Sequence, residues 1–112
     1  MLAGWIEEPE MLLHAPSHVD LEVSSFLRGV ERGRLASRER VTESLGLFLA
    51  LPLDLHEPRA LVPRAWALRS NLTSYDAAYV ALAEALDAPL LTLDGALARA
   101  VARHTRVPVI GL

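Results

Sequence analysis

Between Asn71 and Ala98 the chain reads NLTSYDAAYVALAEALDAPLLTLDGALA, and this stretch leaves few folds open. Thr73 to Asp76 has the form Thr-x-x-Asp directly ahead of an apolar run, a helix-start pattern in which the Thr caps and the acid sits in the first turn. Ala77 to Leu86 is almost entirely Ala, Leu, Val and Tyr, so the helix is expected to be buried on most sides. Ala88-Pro89 stops it, and Leu90 to Leu93 follows as a continuous apolar run of strand length, the pattern of a parallel strand covered on both faces. Asp94 stands where that strand ends and the next helix begins. In open parallel sheets ligands bind beyond the carboxyl ends of the strands, so this acid occupies a functional position.

The rest of the chain supplies the other elements of an α/β fold. Met1 to Glu10 reads as the tail of a helix or a loop, and Met11 to Ala15 as a short strand. Pro16-Ser17 turns the chain, and Ser17 is expected to cap a helix whose apolar residues Val19, Val23, Phe26, Leu27 and Val30 repeat at helical spacing. Glu22 lies at the border of that stripe, where a carboxylate is costly without a cation, a metal or hydrogen-bond donors; Asp20 is expected to point away. Gly33 ends this helix, and Ser37 starts another that runs through Val41, Leu45, Phe48 and Leu49 to Pro52. Leu53 to Leu55 is a second short strand, and after Pro58 a helix places Leu61, Ala65, Trp66 and Leu68 inward. The last helix covers Gly95 to His104 and the last strand Val107 to Ile110. Strands separated by helices of this length imply a parallel sheet flanked by helices.

With 112 residues and 52% apolar composition, the chain is expected to form a single domain over 1–112 with a real core. It has no cysteine, which excludes disulfides and thiolate metal sites. No apolar run reaches membrane-span length and the N-terminus lacks secretory character, so the expected compartment is the cytoplasm, with no membrane partner. A net charge of −3 argues against coating nucleic acid by bulk electrostatics but does not exclude a nuclease.

The Thr73-x-x-Asp76-Ala77-x-Tyr79 helix, the Leu90-Leu91-Thr92-x-Asp94 strand end and the upstream Asp20-Leu21-Glu22-Val23 resemble, in order, the PIN-domain ribonucleases of the VapC toxin type. The resemblance implies a PIN-like three-layer α/β domain with a central parallel sheet. It also implies a metal-dependent endoribonuclease of a toxin–antitoxin pair, with RNA as substrate, an antitoxin protein as partner and a homodimeric state. Glu22, Asp76 and Asp94 are then the catalytic, metal-binding acids, with Thr73 in support and Arg69 and Asn71 as substrate contacts. Mg²⁺, with Mn²⁺ as a substitute, suits an all-oxygen donor set; it would activate a water for in-line attack on a phosphodiester. The family begins with a hydrophobic strand ending in an Asp, and no such segment is recognisable ahead of Met11. The expectation is therefore a domain N-terminally incomplete relative to the family, whose sheet would have unpaired inner edges.

Each of these residues also has a plainer reading. Asp76 and Thr73 alone could form a capping box, Asp94 could be an ordinary N-cap, and Glu22 could pair with Arg99 or Arg103. Arg69 and Asn71 could be solvated loop residues. Trp66, Tyr75 and Tyr79 are most simply core, and His14, His18, His56 and His104 show no metal-ligand spacing. At the level of function, the alternative is a catalytically inactive PIN remnant that only binds an antitoxin or another subunit. A further reading is an RNA-processing or repair nuclease of the same fold.

Overall fold

The computed structural model describes residues 12–111. Their order is β1 (Leu13–Pro16), α1 (Val19–Arg32), α2 (Arg38–Leu49), β2 (Leu53–His56), a 3-10 turn (Pro58–Leu61) leading into α3 (Val62–Ala67), α4 (Ser74–Leu86), β3 (Leu90–Thr92), α5 (Gly95–His104) and β4 (Val109–Gly111). The segment expected as a leading helix tail or loop, and the Met11 start of the first strand, lie outside the described residues. Helices separate the strands, and both pairings are parallel as that connectivity requires. β1 pairs with β2 with Leu13 opposite Leu53 and Pro16 opposite His56, and β3 pairs with β4 with Leu90 opposite Val109. Among the described residues the strands thus form two separate two-stranded sheets.

α4 is the spine of the molecule. It packs against α3, β1 and β3, so it touches a strand of each pair. Its alanines allow that close approach: Ala77 and Val80 are fully buried, and Ala78, Ala81, Leu82 and Ala83 nearly so. The main core gathers Ala77, Val80 and Ala83 with Ala65, Leu68, Leu72, Leu90, Val101 and Val107. Arg64 grips Glu84 through two hydrogen bonds of 2.7 and 3.0 Å, fixing α3 along α4. Asp87 ends α4 in a left-handed conformation (φ 51°), and the chain then enters β3.

The start and stop signals fall where the sequence places them in three helices. Ser37 caps α2 by accepting from the Arg40 N–H, Thr73 caps α4, and Asp94 caps α5. Ser17 does not cap α1. Its N–H donates to the His56 carbonyl at 2.7 Å, which ties it to the end of β2, and the helix begins one residue later from His18 without a side-chain cap.

Three aromatic placements also differ from expectation. Trp66 is 64% exposed, with the Arg69 guanidinium stacked 4.4 Å from its ring centre. A cation over an indole face keeps that ring at the surface at little cost. Tyr75 is 64% exposed, and Phe26, on the apolar stripe of α1, is 69% exposed. α1 and α2 pack on each other, yet α1 buries none of its residues, and Leu21, Leu35, Leu47 and Leu49 are likewise exposed.

Candidate active site

The three acids singled out by sequence come from three different helices. Glu22 is in the first turn of α1, Asp76 in the first turn of α4, and Asp94 is the N-cap of α5 immediately after β3. Helix N-termini favour negative charge, because their unpaired N–H groups carry partial positive charge, so each acid has a local reason to be there. Asp94 uses it directly: one carboxylate oxygen accepts from the Ala96 and Leu97 N–H groups at 2.9 and 3.1 Å. The second oxygen makes no hydrogen bond within the protein among the described residues.

Asp76 is the centre of the group. Its carboxyl pKa is raised above the usual aspartate value, first by burial and then by the negative charges of Glu22 and Asp94, with hydrogen bonding to Thr73 opposing the rise. Both other acids therefore lie close enough to act on Asp76, although they are 54 and 18 positions away in sequence. Thr73 accepts the Asp76 N–H at 3.1 Å. A reciprocal bond from the Thr73 N–H to the Asp76 carboxylate, which a capping box requires, is not formed. The carboxylate therefore lacks the second bond of a capping box, although the Thr73 side chain still bears on it.

Glu22 does not pair with Arg99 or Arg103. Its Oε1 accepts the Tyr79 hydroxyl at 2.5 Å, and His18 Nε2 lies 3.5 Å from the same oxygen. Tyr79 follows Asp76 by one helical turn and stands on the same side of α4. Burial, then the hydrogen bond to Glu22, then the charges of Glu22, Asp76 and Asp20 push its hydroxyl pKa far above the usual tyrosine value. A phenol so placed stays protonated and remains a donor to Glu22. Asp20, expected to point away, is near enough for its charge to bear on Tyr79. The His18 ring meets Tyr75 and Tyr79 edge-on at 5.6 and 5.3 Å, and its Nε2 is buried without a hydrogen-bond partner.

Sequence reasoning missed Tyr79 and His18. The available signals were spacing: His18 and Glu22 stand four apart, and Asp76 and Tyr79 three apart, each pair within reach on one helix face. The two residues expected to touch substrate behave differently from each other. Arg69 is engaged with Trp66, over its ring and to its carbonyl at 2.9 Å. Asn71 is exposed and makes no side-chain hydrogen bond among the described residues.

An all-oxygen set of three carboxylates, one of them half-buried and under the charge of the other two, suits a hard divalent cation, whose charge would relieve that repulsion. Glu22, Asp76 and Asp94 are the residues that would hold it. Their oxygens do not all lie within 4.8 Å of one another; among the described residues the set that does comprises His14, Asp54 and His56, on β1 and β2.

The parallel α/β order, with acids at the helix starts beyond β1 and β3, defines a domain class, and comparison with known proteins names it. The chain belongs to the PIN-domain family, whose sequence model matches residues 2–103. Within that family it is of the VapC type. It is 37% identical over 98 residues to Ribonuclease VapC12 of Mycobacterium tuberculosis, covering 88% of this chain and 76% of that protein. It is 44% identical over 96 residues to Ribonuclease VapC1 of the same organism (81% and 69%), and 41% identical over 87 residues to VapC ribonuclease Mb0985 of Mycobacterium bovis (73% and 65%). Among the described residues no helix is long and apolar enough to cross a membrane.

Proposed function

We propose that residues 1–112 act as a PIN domain that hydrolyses RNA phosphodiester bonds, with Glu22, Asp76 and Asp94 holding Mg²⁺ or Mn²⁺. What supports this reading is the half-buried Asp76 carboxyl, whose pKa is raised first by burial and then by the charges of Glu22 and Asp94. A bound divalent cation would supply a water of lowered pKa and charge neutralisation at the phosphate. The chain's own part is to fix the acids: Tyr79 orients Glu22, Thr73 sets the turn that carries Asp76, and the Ala96 and Leu97 amides hold Asp94. The ribonuclease names of the mycobacterial relatives support the reaction class.

The VapC kinship supports a toxin held in check by an antitoxin protein, and we further propose that it works in the cytoplasm as a homodimer. The exposed apolar residues of α1 and α2, Leu21, Phe26, Leu47 and Leu49, suit burial against another protein. The test is cleavage of a labelled, structured RNA by the full chain with Mg²⁺. Cleavage that EDTA stops and Asp76→Asn abolishes is expected; cleavage that survives both would overturn the assignment.

A second reading has its own observation. The described strands form two separate pairs, and the acids are not gathered within 4.8 Å, as an inactive PIN remnant that serves only as a binding partner would be. A folded chain that takes up neither Mg²⁺ nor Mn²⁺ yet binds an antitoxin would favour it.

A further inference from the structure

We propose that His14, Asp54 and His56 form a second metal site, separate from the acidic cleft, that takes a borderline first-row cation such as Zn²⁺. In the parallel register of β1 and β2, His14 stands opposite Asp54 and Pro16 opposite His56. Register partners and residues two apart along a strand share a face, so His14, Asp54 and His56 all project from the same side of the strand pair. His14 Nδ1 and His56 Nε2 are 2.9 Å apart, and Asp54 Oδ2 lies 3.4 Å from the first and 3.8 Å from the second. A triangle with those sides has a common point about 2.0 Å from each corner, the length of a Zn–N or Zn–O bond.

The site is organised for an ion better than for its own hydrogen bonds. The two imidazoles can share one proton between the facing nitrogens, and the Asp54 oxygen then sits 3.4 and 3.8 Å from the rings without forming a hydrogen bond to either. Among the described residues Asp54 has no arginine partner. A cation at the common point would accept all three lone pairs together. Two imidazoles and one carboxylate favour zinc, cobalt or nickel over Mg²⁺, and three protein ligands leave a position for water. His14 and His56 are only 25% and 30% exposed, so the rings are partly fixed, while the 60% exposed Asp54 leaves an entry path.

The ion would act as a clamp. β1 runs through Pro16 and Ser17 into α1, and the Ser17 N–H already donates to the His56 carbonyl at 2.7 Å. Cross-linking the two strands at this end would hold the start of the helix that carries Glu22. The site does not depend on the nuclease reading.

The test uses the full, untagged chain, stripped with chelator and dialysed, then titrated with Zn²⁺ against a chromophoric chelator and with Co²⁺ by visible absorption. Expected are one Zn²⁺ per chain, tetrahedral-type Co²⁺ bands, a higher melting temperature with Zn²⁺, and affinity at least about tenfold weaker in His56→Gln and in Asp54→Asn. Asp54 is exposed, so Asp54→Asn should fold as the parent does, with circular dichroism as the check. Asp76→Asn should keep the Zn²⁺ site intact. The proposal is overturned if the folded parent binds no Zn²⁺. It is equally overturned if binding persists unchanged in a His14→Ala, His56→Ala double variant, or if Asp76→Asn removes it.

Discussion

Replacing Tyr79 with Phe removes one hydroxyl and almost no volume, so its effect isolates the bond to Glu22. A hydrogen bond to a charged group contributes about 1.5–3 kcal/mol when both partners are shielded. The Glu22 side chain is 40% exposed, so water replaces part of the lost bond, and the net cost is expected to be about 1 kcal/mol. At roughly 2.1 cal/mol/K of unfolding entropy per residue, a chain of 112 residues loses about 4 °C of melting temperature for that change. Urea melts of the parent, Tyr79→Phe, Glu22→Ala and the double variant form a closed cycle. The Phe substitution should cost about 1 kcal/mol in the parent and near zero once Glu22 is Ala. An equal cost in both backgrounds, or none in the parent, would refute the claim that Tyr79 holds Glu22.

Asp76→Asn removes a carboxyl whose folded pKa is raised above 3.8, mainly by burial. The native state then binds more protons than the unfolded one above pH 3.8, so the stability tied to that group is complete below 3.8 and is lost as pH rises through the raised value. In EDTA buffer, melts should show Asp76→Asn gaining on the parent as pH rises through that window and levelling off above it, with no gain below it. Asp94→Asn keeps an N-cap acceptor for the Ala96 and Leu97 amides, so its thermal midpoint should stay near the parent's, whereas Asp94→Ala should cost about 1 kcal/mol. Both variants should bind Mg²⁺ more weakly than the parent. Val80→Ala deletes two methyl groups at a site with no exposure, and transfer plus a residual cavity should cost about 2 kcal/mol in chemical denaturation.

The parts of the fold that local chemistry decides were legible in the sequence. Ser37, Thr73 and Asp94 are side chains that cap whatever helix follows them, and the Ala-rich run of α4 has little choice but to be buried. Gly95–His104 was legible at both ends for the same reason. Features settled by distant partners were not. Ser17 looks like a cap until the His56 carbonyl, 39 positions later, takes its N–H. Phe26 looks like core until α1 proves to bury none of its face, and Trp66 was misread even locally, since Arg69, one turn on, lies over its ring. The placing of Asp76 and Asp94 at helix starts was legible, because local capping patterns carry them, and Glu22 was readable as an acid in the first turn of α1; their joint role as a metal site is what we propose. The Tyr79 bond to Glu22 spans 57 positions and the His14–His56 contact 42, and only strand pairing and helix docking create them.

The most direct test of the carboxylate cluster is Mg²⁺ titration calorimetry on the full chain, alongside Glu22→Gln, Asp76→Asn, Asp94→Asn and His56→Gln. The account predicts saturable Mg²⁺ uptake by the parent, weakened by each change among the three acids and untouched by His56→Gln. Mg²⁺ uptake that is the same in all five proteins, or absent from the folded parent, would contradict it.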